Sequence, residues 1–301
     1  MEPANTSISR RAGILGLLTS ALSNQSGAAI GSLAFPVIGP LGVVAVRQFV
    51  TAAILLPVIR PRIRTFSWAQ WWPVLLLSLV LVTINSSLYL AIDRIGLGLA
   101  VTLEFLGPLI LALAGTRSWS TFLTALTAGA GILAVTQPQP TTDFLGVGLA
   151  LVAAACWAAY ILLNRTVGRQ LSGAQGTATA TGLAAIISLP IGLVILANSP
   201  PTSYALVHAL AAGVLASTIP YVLDLAVLRK VPPHLYGVLV SVNPVFAALI
   251  GVMALNENLN TLAWAGIVLI VAANICAVLV APTPPDQLPI TKHPEKERGL
   301  P

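Results

Sequence analysis

The stretch Val74-Leu75-Leu76-Leu77-Ser78-Leu79-Val80-Leu81-Val82 is apolar at nearly every position and does not alternate. A strand that crosses a bilayer needs about ten residues of strict apolar and polar alternation, so this run reads as helix. Outward from it, the apolar character holds from Ala69 to Ile92. That length suits a helix crossing a hydrocarbon core of about 30 Å. Similar windows recur and place ten spans, which in the first half cover Ala12 to Ala34, Pro40 to Ile59, Ala69 to Ile92, Gly96 to Gly115 and Trp119 to Thr136. In the second half they cover Gly146 to Leu163, Ala174 to Ala197, Tyr204 to Leu228, Leu235 to Leu255 and Leu262 to Ala281.

Composition agrees with an all-α membrane protein. Of the 301 residues, 56% are hydrophobic and 8% charged, against about a quarter charged in soluble proteins. The 15 Lys and Arg exceed the 9 Asp and Glu, but they stand singly or in twos and threes between apolar segments and form no nucleic-acid patch. Apart from Arg94 on one side and Arg47 inside a span, every basic residue falls in connections on the other side. The positive-inside rule makes that side, and both termini, cytoplasmic. Arg10 and Arg11 precede an apolar run too long for an export signal, which reads as a retained first helix. The tail holds Pro282, Pro284, Pro285, Pro289 and Pro294 among mixed charges and is expected to be disordered.

The two halves match each other. Pro108 pairs with Pro244 and Gly115 with Gly251 at a spacing of 136, and Gly13 with Gly146 and Pro57 with Pro190 at 133, numbers that follow directly from their positions. Five spans per half is an odd number, so the second copy enters the membrane from the opposite face and the repeat is inverted. The expected organisation is a cytoplasmic N-terminus 1–11, a first repeat 12–136, a linker 137–145, a second repeat 146–281 and a cytoplasmic tail 282–301. Inverted repeats suit a transporter with a site near the midplane, reached alternately from either face.

Arg47 and Glu104 lie well inside spans, where each costs about 2.5 to 3.5 kcal/mol on insertion scales, so both are expected to face the protein interior. At about 1.5 Å per residue they lie about 10 and 12 Å from the outer ends of their helices, deep enough to pair. Asn24 and Gln25 in the first span and Asn85 in the third fall near the same level. Pro108 has no amide hydrogen for the carbonyl of Glu104, and Pro244 does the same to Val240, beside Asn243. Either these broken turns offer acceptors to a substrate, or they only shape packing. In the eighth span Ser217, Tyr221 and Asp224 share one helical face, with Asp224 either a proton-coupling candidate alongside Glu104 or simply solvated near the cytoplasmic end. Trp157 and Tyr160 either wall a cavity or pack. Gly27 and Gly31 are spaced for close helix contact.

Cys156 and Cys276 show neither metal-ligand spacing nor a disulfide framework, and no cofactor is implied. The GxxxxGK[ST] loop is absent, as are HExxH and GxSxG, so neither direct ATP coupling nor an enzyme is expected. These residues resemble the drug/metabolite transporter superfamily with its two EamA domains, most closely the bacterial threonine/homoserine exporters. The likeness runs from Gly13 to Ala281. It rests on Ser26-Gly27-Ala28 leading to Phe35-Pro36, Val46-Arg47, the run from Gly98 through Glu104 to Pro108, Ala155 to Leu162, Ser217-Thr218-Ile219-Pro220-Tyr221 and Ser241-Val242-Asn243-Pro244.

The resemblance implies an inner-membrane exporter of small amino acids with Gln25, Arg47 and Glu104 kept in place. Related exporters often carry glutamate where this chain has Asn243, which removes a protonatable group from the ninth span. The expected function is secondary export of a small polar metabolite out of a bacterial cell. The expected site comprises Asn24, Gln25, Arg47, Asn85, Glu104, Trp157, Tyr160, Tyr221 and Asn243. A broad drug or metabolite efflux protein and a non-transporting membrane scaffold remain as alternatives. The expected partners are a small-molecule substrate, the lipid bilayer and, through the polar-poor fifth and tenth spans, a second copy of the chain.

Overall fold

Leu, Val and Ala in unbroken runs satisfy their backbone groups within one segment, the condition for life in hydrocarbon. The computed structural model describes residues 4–114, 119–136, 143–171, 174–220, 223 and 240–280, and among these there is no strand. The helices are α1 (Ala4–Ser32), α2 (Phe35–Ile59), α3 (Trp68–Ile95), α4 (Leu97–Glu104), α5 (Leu106–Ala114), α6 (Trp119–Thr136), α7 (Phe144–Gln170), α8 (Gln175–Asn198), α9 (Ser203–Gly213), α10 (Asn243–Leu255) and α11 (Thr261–Val280). Four of them, α2, α3, α7 and α8, hold 24 to 28 residues and are apolar enough to cross a membrane.

Two expected spans are interrupted. The fourth is split at Phe105 into α4 and α5, three residues before Pro108. The eighth runs from α9 into a single π turn at Val214–Thr218. The second span begins at Pro40 in substance, because Gly39 at φ 66° is non-helical within α2. Small residues line the helix contacts, with Ala150, Ala153, Ala178, Ala180, Ala205, Ala209, Ala212, Ala247 and Ala248 fully buried, while Leu79, Ile110, Leu126, Ile186, Val194 and Met253 point outward. This inside-out distribution is the one a lipid solvent favours.

The connections meet at two ends. At one, Arg94 pairs with Asp143 at 3.3 Å, and Asp143 accepts the Gly146 amide at 2.8 Å to cap α7. At that same end Glu257, in the α10–α11 connection, closes the first turn of α4 by accepting the amides of Leu97 and, at 3.1 Å, of Gly98. Gly96 enters this cap at φ 84°, and a Cβ there would strike the Glu257 carboxyl carbon at 2.9 Å. At the other end Gln70 completes a capping box with Ser67, and its Nε2 donates to the Gln170 carbonyl at 3.0 Å. There too the Arg62 amide donates to Gln175 at 3.1 Å.

The helix contacts come in matched sets. α3 packs on α7 while α1 packs on α9 and the π turn, α3 on α8 while α2 packs on α9, and α4 and α5 on α7 while α10 packs on α1. Three further pairs, α2 with α8, α4 with α10 and α6 with α11, join across the middle. Gly27 is needed at the α1 contact, because a Cβ there would fall on the backbone nitrogen of Ala216, and a Cβ at Gly31 would meet Ala212 at 3.0 Å. The spacing read from sequence as a close-contact pair therefore serves that purpose.

Candidate substrate-binding site

Arg47 sits midway along α2, half-buried. Its Nε donates to the Ser217 hydroxyl at 2.6 Å and its Nη2 to the Ala216 carbonyl at 2.8 Å. The Ala216 carbonyl is free for this because its α-helical donor would be residue 220, a proline. The π turn frees a second carbonyl, since the Ile219 amide reaches back to Val214. The Leu215 oxygen then accepts from the Ser23 hydroxyl at 2.7 Å. On its face the guanidinium lies 5.1 Å from the centroid of the Tyr89 ring.

Glu104 ends α4 and is 6% exposed. It is not ion-paired with Arg47, the ion pair found among the described residues being Arg94 with Asp143. The Arg47 charge nevertheless acts on Glu104, and the Glu104 charge on Cys156 of α7. An arginine and a carboxyl group thus lie within electrostatic reach of one another without an ion-pair contact. Phe105, at the break, is buried and meets Trp157 edge-on at 4.4 Å.

A second node joins α1 to α10. Gln25 donates through Nε2 to Asn243 Oδ1 at 3.0 Å, and Asn243 Nδ2 donates to the Val240 carbonyl at 2.8 Å. The acceptor released by Pro244 is therefore taken by the neighbouring side chain. Asn85 turns back on its own helix, donating to the Leu81 carbonyl at 2.7 Å, and Asn24 is half-buried.

The aromatic pair separates. Trp157 packs with the cluster around Phe105 and Tyr89, whereas Tyr160 packs with a different cluster around Val74, Leu77 and Leu81. The expectation of five polar side chains converging from the first four spans becomes two nodes that reach into the second half. Tyr221 and Asp224 lie outside the described residues. Sequence reasoning missed Tyr89 and the Ala216 carbonyl. Pro220 was a legible signal for the second, while nothing in the sequence marked the first.

Apolar helices long enough to cross a bilayer, with Gln25, Glu104 and Asn243 buried among them, mark a multi-pass membrane protein. The EamA-like transporter family matches residues 144–279. Over nearly the whole chain, the threonine/homoserine exporter RhtA of Salmonella typhimurium is 35% identical, with 88% of this chain and 91% of the relative covered. The exporter of the same name in Escherichia coli K12 is 33% identical, with 87% and 90% covered. A solved crystal structure shares the fold with a TM-score of 0.60 at 19% identity, covering 90% of this chain and 98% of the other. This chain belongs to the EamA-like transporter family.

Proposed function

We propose that this protein exports a small amino acid, threonine or homoserine, across the bacterial cytoplasmic membrane by alternating access. The observation that carries the reading is the half-buried Arg47 and the buried Glu104, side chains of opposite type that are not in ion-pair contact with each other. In this reading a zwitterion binds between them, with its carboxylate on Arg47 and its ammonium on Glu104. The names of the full-length relatives support that substrate class. Glu104 also serves as the proton-exchanging group in this reading, since Asn243 cannot titrate.

The alternating-access part rests on the repeat. If α1 corresponds to α7, α2 to α8, α3 to α9, α4 with α5 to α10, and α6 to α11, the packed pairs named above map onto one another or onto themselves. That supports two inverted halves, 12–136 and 146–281, rocking about the contacts of α2 with α8 and α4 with α10. Efflux of radiolabelled threonine, homoserine and unrelated metabolites from proteoliposomes tests the reading. Threonine or homoserine is expected to leave fastest, and Arg47→Gln is expected to remove the preference. Equal efflux of unrelated drugs would replace amino-acid export with broad efflux.

A further inference from the structure

We infer that Tyr89, Ser217 and the π turn are positioning residues that hold Arg47 so that one end of its guanidinium, between Nη1 and Nη2, meets the substrate carboxylate. The inference rests on the amino-acid reading above and concerns how that site tells a carboxylate from other groups.

A guanidinium carries five N–H donors in a fixed planar fork. Ser217 and the Ala216 carbonyl take Nε and Nη2, which together form the side edge of that fork. Such an edge ordinarily grips a carboxylate with two parallel bonds. Here the protein itself occupies it. Both hydrogens of Nη1 and one of Nη2 remain, and among the described residues none of them is bonded. One hydrogen from each of Nη1 and Nη2 forms the end edge, which can also donate to a carboxylate bidentately. Arg47 as a whole is half-buried.

Three features fix the plane. Pro220 denies the Ala216 carbonyl its own helical donor and so keeps it available to Arg47. The neighbouring Leu215 carbonyl is held by Ser23, and Gly27 lets α1 lie directly against the turn, so the turn cannot drift. Tyr89 is fully buried and supports the guanidinium face, with Phe35 tilted against it at 5.8 Å. Its hydroxyl has no partner among the described residues, so its ring and not its oxygen serves Arg47.

A carboxamide offers one acceptor oxygen and no charge to the open end. The positioned fork should therefore discriminate L-threonine from L-threoninamide. The test measures inhibition of threonine transport by each compound in proteoliposomes for the wild type, Tyr89→Phe, Tyr89→Leu, Ser217→Ala and Arg47→Gln. Tyr89→Phe is expected to keep the wild-type ratio of inhibition constants. Tyr89→Leu and Ser217→Ala should each shrink that ratio about tenfold, the effect of losing one ring or charge-assisted contact. A purely structural role would weaken both inhibitors equally and leave the ratio alone.

Size-exclusion profiles report folding, and if Tyr89→Leu does not fold, Ser217→Ala carries the decision. A collapsed ratio in Arg47→Gln with an unchanged ratio in the folded positioning variants overturns the inference and leaves the substrate reading standing. An unchanged ratio in Arg47→Gln overturns that reading, and the inference falls with it.

Discussion

Pro108 and Pro244 each stand four residues after a carbonyl that they leave without a helical donor, and their surroundings differ. Beside Pro108 the buried side chain is a carboxylate that makes no contact ion pair. Beside Pro244 it is an amide whose acceptor is filled by Gln25 and whose donor fills the carbonyl that the proline released. One backbone device thus serves two ends. At Pro108 the carboxyl group stays without an ion-pair partner among the described residues, and at Pro244 the amide builds a neutral bridge between α1 and α10.

The contrast can be broken most severely at Glu104. Glu104→Asn gives both breaks the same side chain, and efflux from proteoliposomes is expected to fall by at least about a hundredfold, equivalent to about 2.7 kcal/mol, while the folded yield persists. Retained transport would make the first break as structural as the second. Asn243→Ala has the opposite character. It strands Gln25 and the Val240 carbonyl, which costs about 1 to 3 kcal/mol per buried unsatisfied group, and should appear as a lower unfolding temperature in detergent with transport affinity largely kept.

Asn243→Glu sharpens the comparison by restoring a titratable group to the second break. Efflux should then depend a few-fold more steeply on an imposed proton gradient, and an identical dependence would place the coupling elsewhere. The smallest effect is expected at Arg94→Ala. Its ion pair with Asp143 is more than a third exposed on both sides, so stability should change by less than about 1 kcal/mol. A larger loss in thermal unfolding would show that this connection bears on the breaks nearby.

Much of this was legible in the sequence for physical reasons. Unbroken apolar runs can only be helices in lipid, a buried charge must turn inward, and a proline must free the carbonyl four residues before it. Those arguments located Arg47, Glu104, Pro108, Asn243 and Pro244, and the glycine spacing located the α1 contact. Partner choice was not legible. Arg47 meets a serine 170 positions away, and which face of α3 brings Tyr89 beneath it depends on a helix rotation that hydropathy does not encode.

The π turn hid more. One extra residue in a turn shifts every later side chain around the helix axis by about 100°. A face drawn through Ser217 on α-helical spacing assumes that no such shift occurs. Pro220 signals the freed carbonyl by the same rule that marks Pro108 and Pro244. Trp157 and Tyr160 looked like neighbours on one face, but their helix is shared between two packing clusters and each joins a different one.

The cap at the start of α4 reaches beyond local stability. Glu257 belongs to the connection that follows α10, so the leading turn of α4 is fastened to the connection that leaves α10. If a passage opens at that rim of the bundle, α4 and α10 must either move together or first strip the carboxylate from its amides.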